Sequence, residues 1–192
     1  MRTTLRLAIL ITLQTLVLGA MIAMKQWTLS TGTPIVLETQ PIDPRSLFQG
    51  DYVRLNYTIS TLGVADLPAD RPFKKQGRIY VLLRRGDPYW EPISIHHERP
   101  TSPPDHVVLK GTVVGMGNRR WNPDLRSWEA TEHLMVRYGI ENYFVPEGEG
   151  RDVERPTPHE KISIRVAVDR FGNAGIKAVL VNGRPRYTET LF

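Results

Sequence analysis

The chain contains no cysteine. Disulfides, thiolate metal sites and cysteine nucleophiles are therefore excluded. It also lacks any run of like charge. The densest basic clusters are no more than pairs, among them Arg84-Arg85 and Arg119-Arg120. The formal net charge is +5, but Arg2, Arg6 and Lys25 flank one apolar segment, and the remainder carries 22 basic against 20 acidic residues. With no basic stripe and no interleaved aromatics, nothing points to nucleic acid as a partner. The phosphate-cradling spacings G-x-x-x-x-G-K-[ST] and G-x-G-x-x-G are missing, as are H-x-x-x-H and H-E-x-x-H. His96 and His97 are adjacent on a predicted strand, so their rings face opposite sides and do not share a metal easily. The other histidines, His106, His133 and His159, are scattered. No cofactor and no metal is expected.

One long hydrophobic run is present. Leu7 to Met24 reads LAILITLQTLVLGAMIAM, 18 residues without a charge. At 1.5 Å per residue a helix of that length spans about 27 Å, close to the thickness of a hydrocarbon core. Thr12 and Thr15 can bond their own backbone, whereas Gln14 has either to be tolerated or to find a partner helix. Arg2 and Arg6 precede the span and only Lys25 follows it closely, which places the N-terminus in the cytoplasm. The run is longer than the apolar region of a cleaved signal peptide, about 7–15 residues, which is the competing reading. The expected organisation is a cytoplasmic tail at 1–6, a transmembrane anchor at 7–25 and an extracytoplasmic domain at 26–192.

Fifteen prolines and fifteen glycines cut the remainder into short pieces. No linker or repeat divides it, and no sustained 3.6-residue apolar period occurs outside the anchor. The predicted fold is mainly β, a single barrel or sandwich-like domain lying close to the membrane surface. Predicted strands are Trp27–Leu37, Tyr52–Ile59, Gly77–Arg84, Ile93–His97, Val107–Gly115, His133–Tyr138, Ile162–Asp169 and Ile176–Val181. Asn182-Gly183 signals a two-residue hairpin, so the last 30 residues read as a three-stranded antiparallel meander. Short helical turns are expected near Leu62–Leu67 and Arg151–Glu160.

The densest motif lies at 50–57, Gly-Asp-Tyr-Val-Arg-Leu-Asn-Tyr. Pro41 and Pro44 forbid regular structure upstream. Asp43 can close an Asx turn and Gly50 can supply positive φ. Strand alternation then sends Val53, Leu55 and Tyr57 to the core and Tyr52, Arg54 and Asn56 to the other face. Gly50, Asp51, Tyr52, Leu55 and Tyr57 fill all five fixed positions of the GDYXXLXY family, which this chain resembles. Asp43-Pro44-Arg45 is similar to the family's lead-in. Residues 138–150, including Glu141, Tyr143, Phe144 and Glu147, are similar to a second family block. The final strands with Asp169-Arg170-Phe171-Gly172 fit its closing meander. The family is uncharacterised biochemically. The resemblance implies a bacterial membrane-associated protein whose partner is a polytopic membrane protein encoded nearby.

Candidate chemistry is sparse. Asp51 can cap local backbone or pair with Arg45 or Arg54. The acidic group Glu141, Glu147, Glu149, Asp152 and Glu154 lacks the alternating spacing of a calcium loop. Leu47-Phe48-Gln49-Gly50-Asp51 is similar to a stretch of signal peptidases, but Ile42 occupies the nucleophile's place and Ser46 falls elsewhere. None of Lys74, Lys75, Lys110, Lys161 and Lys177 sits in the context a Ser–Lys dyad needs. The sequence therefore reads as a non-catalytic accessory module. The alternative is a membrane-tethered ligand-binding domain or hydrolase using Asp51 with Arg45 and Glu141 or Glu147.

Overall fold

The computed structural model describes residues 2–40, 52–118, 120–122, 126–129, 132–144 and 161–189. One helix, α1 (Arg2–Thr31), leads directly into strand β1 (Thr33–Gln40) through the single residue Gly32. Its 30 residues give a rod of about 45 Å, longer than a hydrocarbon core of about 30 Å. The side chains from Thr3 to Gln26, except Gln26 itself, are exposed along its surface, and it is long and apolar enough to cross a membrane. Thr12 and Thr15 donate to the carbonyls of Ala8 and Ile11, both at 2.9 Å, so neither hydroxyl is left unpaired.

The helix outruns the sequence expectation, which began a strand at Trp27. Thr28, Ser30 and Thr31 look strand-like in composition, but Ser30 and Thr31 each donate a hydroxyl back to Trp27 O one turn earlier, and Thr28 is buried. The helix continues until Gly32, and the strand begins only at Thr33.

The motif segment follows as β2 (Tyr52–Arg54) and β3 (Asn56–Tyr57), a 3₁₀ turn at Thr58–Ser60, and β4 (Thr61–Gly63). The helical turn expected at Leu62–Leu67 is therefore absent. Pairing of 61–63 with a later strand draws that segment into a sheet. Then come β5 (Arg78–Arg84), β6 (Glu91–His96), β7 (His106–Gly117), the short ribbon β8 (Arg120–Asn122) and β9 (Ser127–Glu129), β10 (His133–Arg137) and β11 (Asn142–Phe144). The chain closes with β12 (Ile162–Val168), β13 (Ala174–Val181) and β14 (Arg184–Thr188). These last three form the expected meander. Asn182 and Gly183 adopt φ of 50° and 77°, as a type I′ hairpin turn demands.

The strands make two five-stranded sheets, β14-β13-β12-β1-β3 and β4-β10-β7-β5-β6. All their pairings are antiparallel. Both sheets contribute to one hydrophobic core. Ile35, Leu37, Ile164, Val166 and Val179 come from the first, and Ile79, Val81, Leu83, Leu109 and Leu134 from the second. Each such side chain contributes about 1.5–3 kcal/mol on full burial, so the apolar faces dominate the stability of the domain. Main-chain bonds also tie the sheets together, Trp90 N to Val36 O at 3.0 Å and Lys110 N to Gly172 O at 2.8 Å.

The end of α1 lies against β12 and β13. Ala167 and Gly175 face each other across those strands, and their small size lets the helix approach. A Cβ on Gly175 would stand 2.7 Å from Leu29 Cδ2, and one on Gly32 would stand 2.5 Å from Thr28 O. Thr28 and Leu29 are accordingly buried.

Candidate functional site

The motif occupies the seam between the two sheets. β3 pairs with β1 in the first sheet, through Thr39 opposite Tyr57 and Gln40 opposite Asn56. Four residues later β4 pairs with β10 in the second. The intervening 3₁₀ turn carries the chain across. β2 pairs with β11, placing Arg54 opposite Asn142 and Tyr52 opposite Phe144. The two blocks singled out in the sequence, 50–57 and 138–150, thus meet in space where they are described.

Leu55 and Tyr57 point inward, 5% and 1% exposed, as strand alternation requires. Arg54 is exposed on the other face. Leu55 falls between β2 and β3, and its N–H donates to Glu141 O at 2.7 Å. The bond ties Leu55 to the second block; the expected continuous strand Tyr52–Ile59 divides here because 52–54 pair with β11 and 56–57 with β1, and it ends in the 3₁₀ turn from Thr58.

Two tyrosine hydroxyls complete the junction. Tyr57 Oη donates to Ile140 O at 2.6 Å, and Tyr138 Oη donates to Ile59 O at 2.7 Å. Both phenols are buried, and burial is the main force pushing their pKa values above 10, with the Glu141 carboxylate adding to it. They are held as neutral donors. The Tyr138 ring fits because β7 places a glycine beneath it. A Cβ on Gly111 would lie 2.5 Å from Val136 Cγ1 and 3.1 Å from Tyr138 Cε1.

The Glu141 carboxylate is engaged locally. Oε1 accepts from Tyr138 N at 2.6 Å and Oε2 from Gly139 N at 3.0 Å, where Gly139 has φ of 82°. This is a side-chain cap on a turn. Asp43, Arg45, Gly50, Asp51 and Glu147 lie outside the described residues, as does the 151–160 segment; Tyr52 is placed only by its backbone register.

Other polar groups are spoken for as well. His96 Nε2 lies 2.8 Å from Ser94 Oγ, and His96 Nδ1 lies 3.4 Å from Asp70. The His97 ring instead stacks obliquely on Phe73 at 5.3 Å. The two rings thus serve different neighbours, although the His97 backbone N–H also donates to Asp70. Among the described residues no group of three or more His, Asp or Glu could hold a metal ion. Lys110 Nζ donates to Asn173 Oδ1. A shallow cleft of about 380 Å3 is lined by Pro72, Lys74, Gly77, Arg78, Ile79 and His97. It contains no carboxylate and no motif residue.

A second polar centre, which the sequence did not single out as a unit, lies where α1 meets the β12–β13 turn. Asp169 Oδ2 accepts from Thr28 Oγ1 and from Asn173 Nδ2, both at 2.9 Å. Asp169 Oδ1 accepts from the N–H groups of Phe171 and Asn173 at 2.8 and 2.9 Å. Burial opposes ionisation of this carboxyl. The bonds from Asn173 and Thr28 and from the two backbone N–H groups outweigh burial and hold its pKa below the usual value. The only sequence signal was an Asp at the head of a Gly-Asn turn; its partner, Thr28, stands 141 residues away.

Compared with known proteins, the chain matches a family model described as GDYXXLXY protein over residues 14–179. No curated protein and no solved structure matches it.

Proposed function

The chain belongs to the GDYXXLXY family, and from that premise we propose that it is a single-pass membrane-anchored, non-catalytic accessory module for a polytopic membrane protein. The observation that carries the reading is the junction of helix and domain. An apolar helix passes into the core sheet through one residue, Gly32. In its last turn Leu29 is buried against Gly175 and Thr28 against Asp169, and Gly32 follows close to Ala167. A domain held so closely has a set height and orientation over the bilayer, which suits contact with another integral membrane protein. It suits a mobile tethered enzyme less well. The packed last turn also favours a retained anchor over a cleaved signal peptide.

In this reading the N-terminus, with Arg2 and Arg6, faces the cytoplasm of a bacterial inner membrane and the β domain lies outside. Gln14, exposed on α1, contacts the partner within the bilayer. The face of β2 that carries Tyr52 and Arg54 contacts it beyond. Leu55, Tyr57 and Glu141 act in folding, as their burial and hydrogen bonds support.

The test is affinity capture of the full chain from detergent extracts, with Gln14→Leu and Tyr52→Ala for comparison. Wild type should retain a polytopic protein, and each variant should retain less. If wild type retains none, the partner reading fails. N-terminal sequencing of membrane-purified protein tests the anchor, since a mature start near Ala20 contradicts it. Arg184→Cys tests orientation in this cysteine-free chain. A membrane-impermeant maleimide should label it in intact spheroplasts; labelling only after lysis would place the domain in the cytoplasm.

A further inference from the structure

We propose that the β12–β13 turn is a second membrane contact, which seats Phe171 and Arg170 in the phospholipid headgroup layer beside the point where α1 leaves the bilayer. The inference rests on the anchored reading of α1 and extends it from the helix to the domain.

Phe171 is 54% exposed and Trp27 is 58% exposed. Single exposed aromatics are ordinary on a protein surface. These two flank a shared clamp. Thr28, next to Trp27, donates to one oxygen of Asp169, and the N–H of Phe171 donates to the other. Met24 ends the apolar run, and Thr28 lies about 6 Å further along the helix axis. That is the depth of the headgroup region, where aromatic side chains collect at membrane surfaces.

The charges agree with the level. Arg170 is exposed and its guanidinium sits 4.8 Å from the centre of the Phe171 ring. Lys25 is exposed too, and its Nζ lies near Gly175 on the adjoining strand. Cations beside aromatics at this depth match the phosphodiester groups of phospholipids. Asp169, the one carboxylate in the turn, is buried and directed at its four donors.

The turn is also stiff. Gly172 N donates to Asp169 O and Gly172 O accepts from Lys110 N. A Cβ on Gly172 would stand 3.1 Å from Val108 O. Phe171 is therefore held outward by a fixed backbone. The turn of the next hairpin, Asn182-Gly183 between β13 and β14, lies at the other end of the eight-residue strand β13, about 26 Å away at strand rise.

The experiment uses the full chain in phosphatidylcholine–phosphatidylglycerol vesicles. Arg170→Cys and, separately, Arg184→Cys carry a nitroxide spin label. Collision with dissolved oxygen reports lipid, and collision with a water-soluble nickel chelate reports water. The label at 170 should favour oxygen severalfold over the label at 184. Adding Phe171→Asp to the 170 variant should reverse that preference; Phe171 is exposed, so the change leaves the core intact. Equal water exposure at 170 and 184 in vesicles that float with the protein overturns the turn contact and leaves the anchor standing. Failure of wild type to float with the vesicles overturns both.

Discussion

Tyr57 and Tyr138 cross-bond the two halves of the motif seam: the hydroxyl of each donates to a carbonyl two residues beyond the other. Tyr57 reaches Ile140 O and Tyr138 reaches Ile59 O. The exchange locks the chain where it steps from one sheet to the other. It also explains in physical terms why an aromatic with a hydroxyl stands at the last motif position. A phenylalanine would fill the same volume and leave a buried carbonyl without its donor.

Tyr57→Phe and Tyr138→Phe should each cost about 1–3 kcal/mol, the penalty for an unpaired buried polar group. Chemical denaturation of the detergent-solubilised protein measures it. Loss of less than about 0.5 kcal/mol in both would mean that the seam is held by packing alone.

The same phenols set a limit at high pH. Their folded-state pKa values lie above 10, raised by burial first and by Glu141 second. The unfolded chain releases these protons at about pH 10. The stabilisation is thus complete below about pH 10 and is lost as pH climbs from there toward the folded values. Melting temperature should fall steeply in that range, and the Tyr57→Phe, Tyr138→Phe double variant should show a flatter decline.

Asp169 sets a limit of the opposite sign. Its folded pKa is depressed, so its contribution is present above the unfolded value of about 4 and disappears as pH drops below it. Asp169→Asn should cost about 1–3 kcal/mol at neutral pH and flatten the acid limb. Thr28→Val should cost about 1 kcal/mol and increase proteolysis at the helix–domain junction. Unchanged cleavage there would show that the clamp is dispensable.

Gly111→Ala should behave as an overpacked core variant. The new methyl meets Val136 and the Tyr138 ring, so Tyr138 must move or β7 must part from β10. The expected loss is about 1–3 kcal/mol. Combined with Tyr138→Phe it should be less than additive, because both act on one ring position.

Much of this was legible beforehand. Alternation alone sent Leu55 and Tyr57 inward, and Asn182-Gly183 declared its hairpin, because period and turn chemistry are local properties. The apolar run at 7–24 is likewise a matter of composition. The edges of elements were not. Trp27–Thr31 has strand-like residues yet stays helical, because hydroxyl back-bonds and burial against β12–β13 reward the helix. Leu62 was expected in a helical turn, but β10 pairs with it.

The sequence on its own settled the kind of molecule, a greasy helix followed by short strands, and the family to which it belongs. Folding decided what the notable residues do. Glu141, counted among possible ligands, caps its own turn; Tyr138 stands opposite Ile59, 79 residues away; Thr28 meets Asp169 across 141. Local propensity and periodicity act over a few residues and can be read along the chain. Hydrogen bonds between distant segments depend on which surfaces the apolar faces bring together, and that is decided only when the core closes.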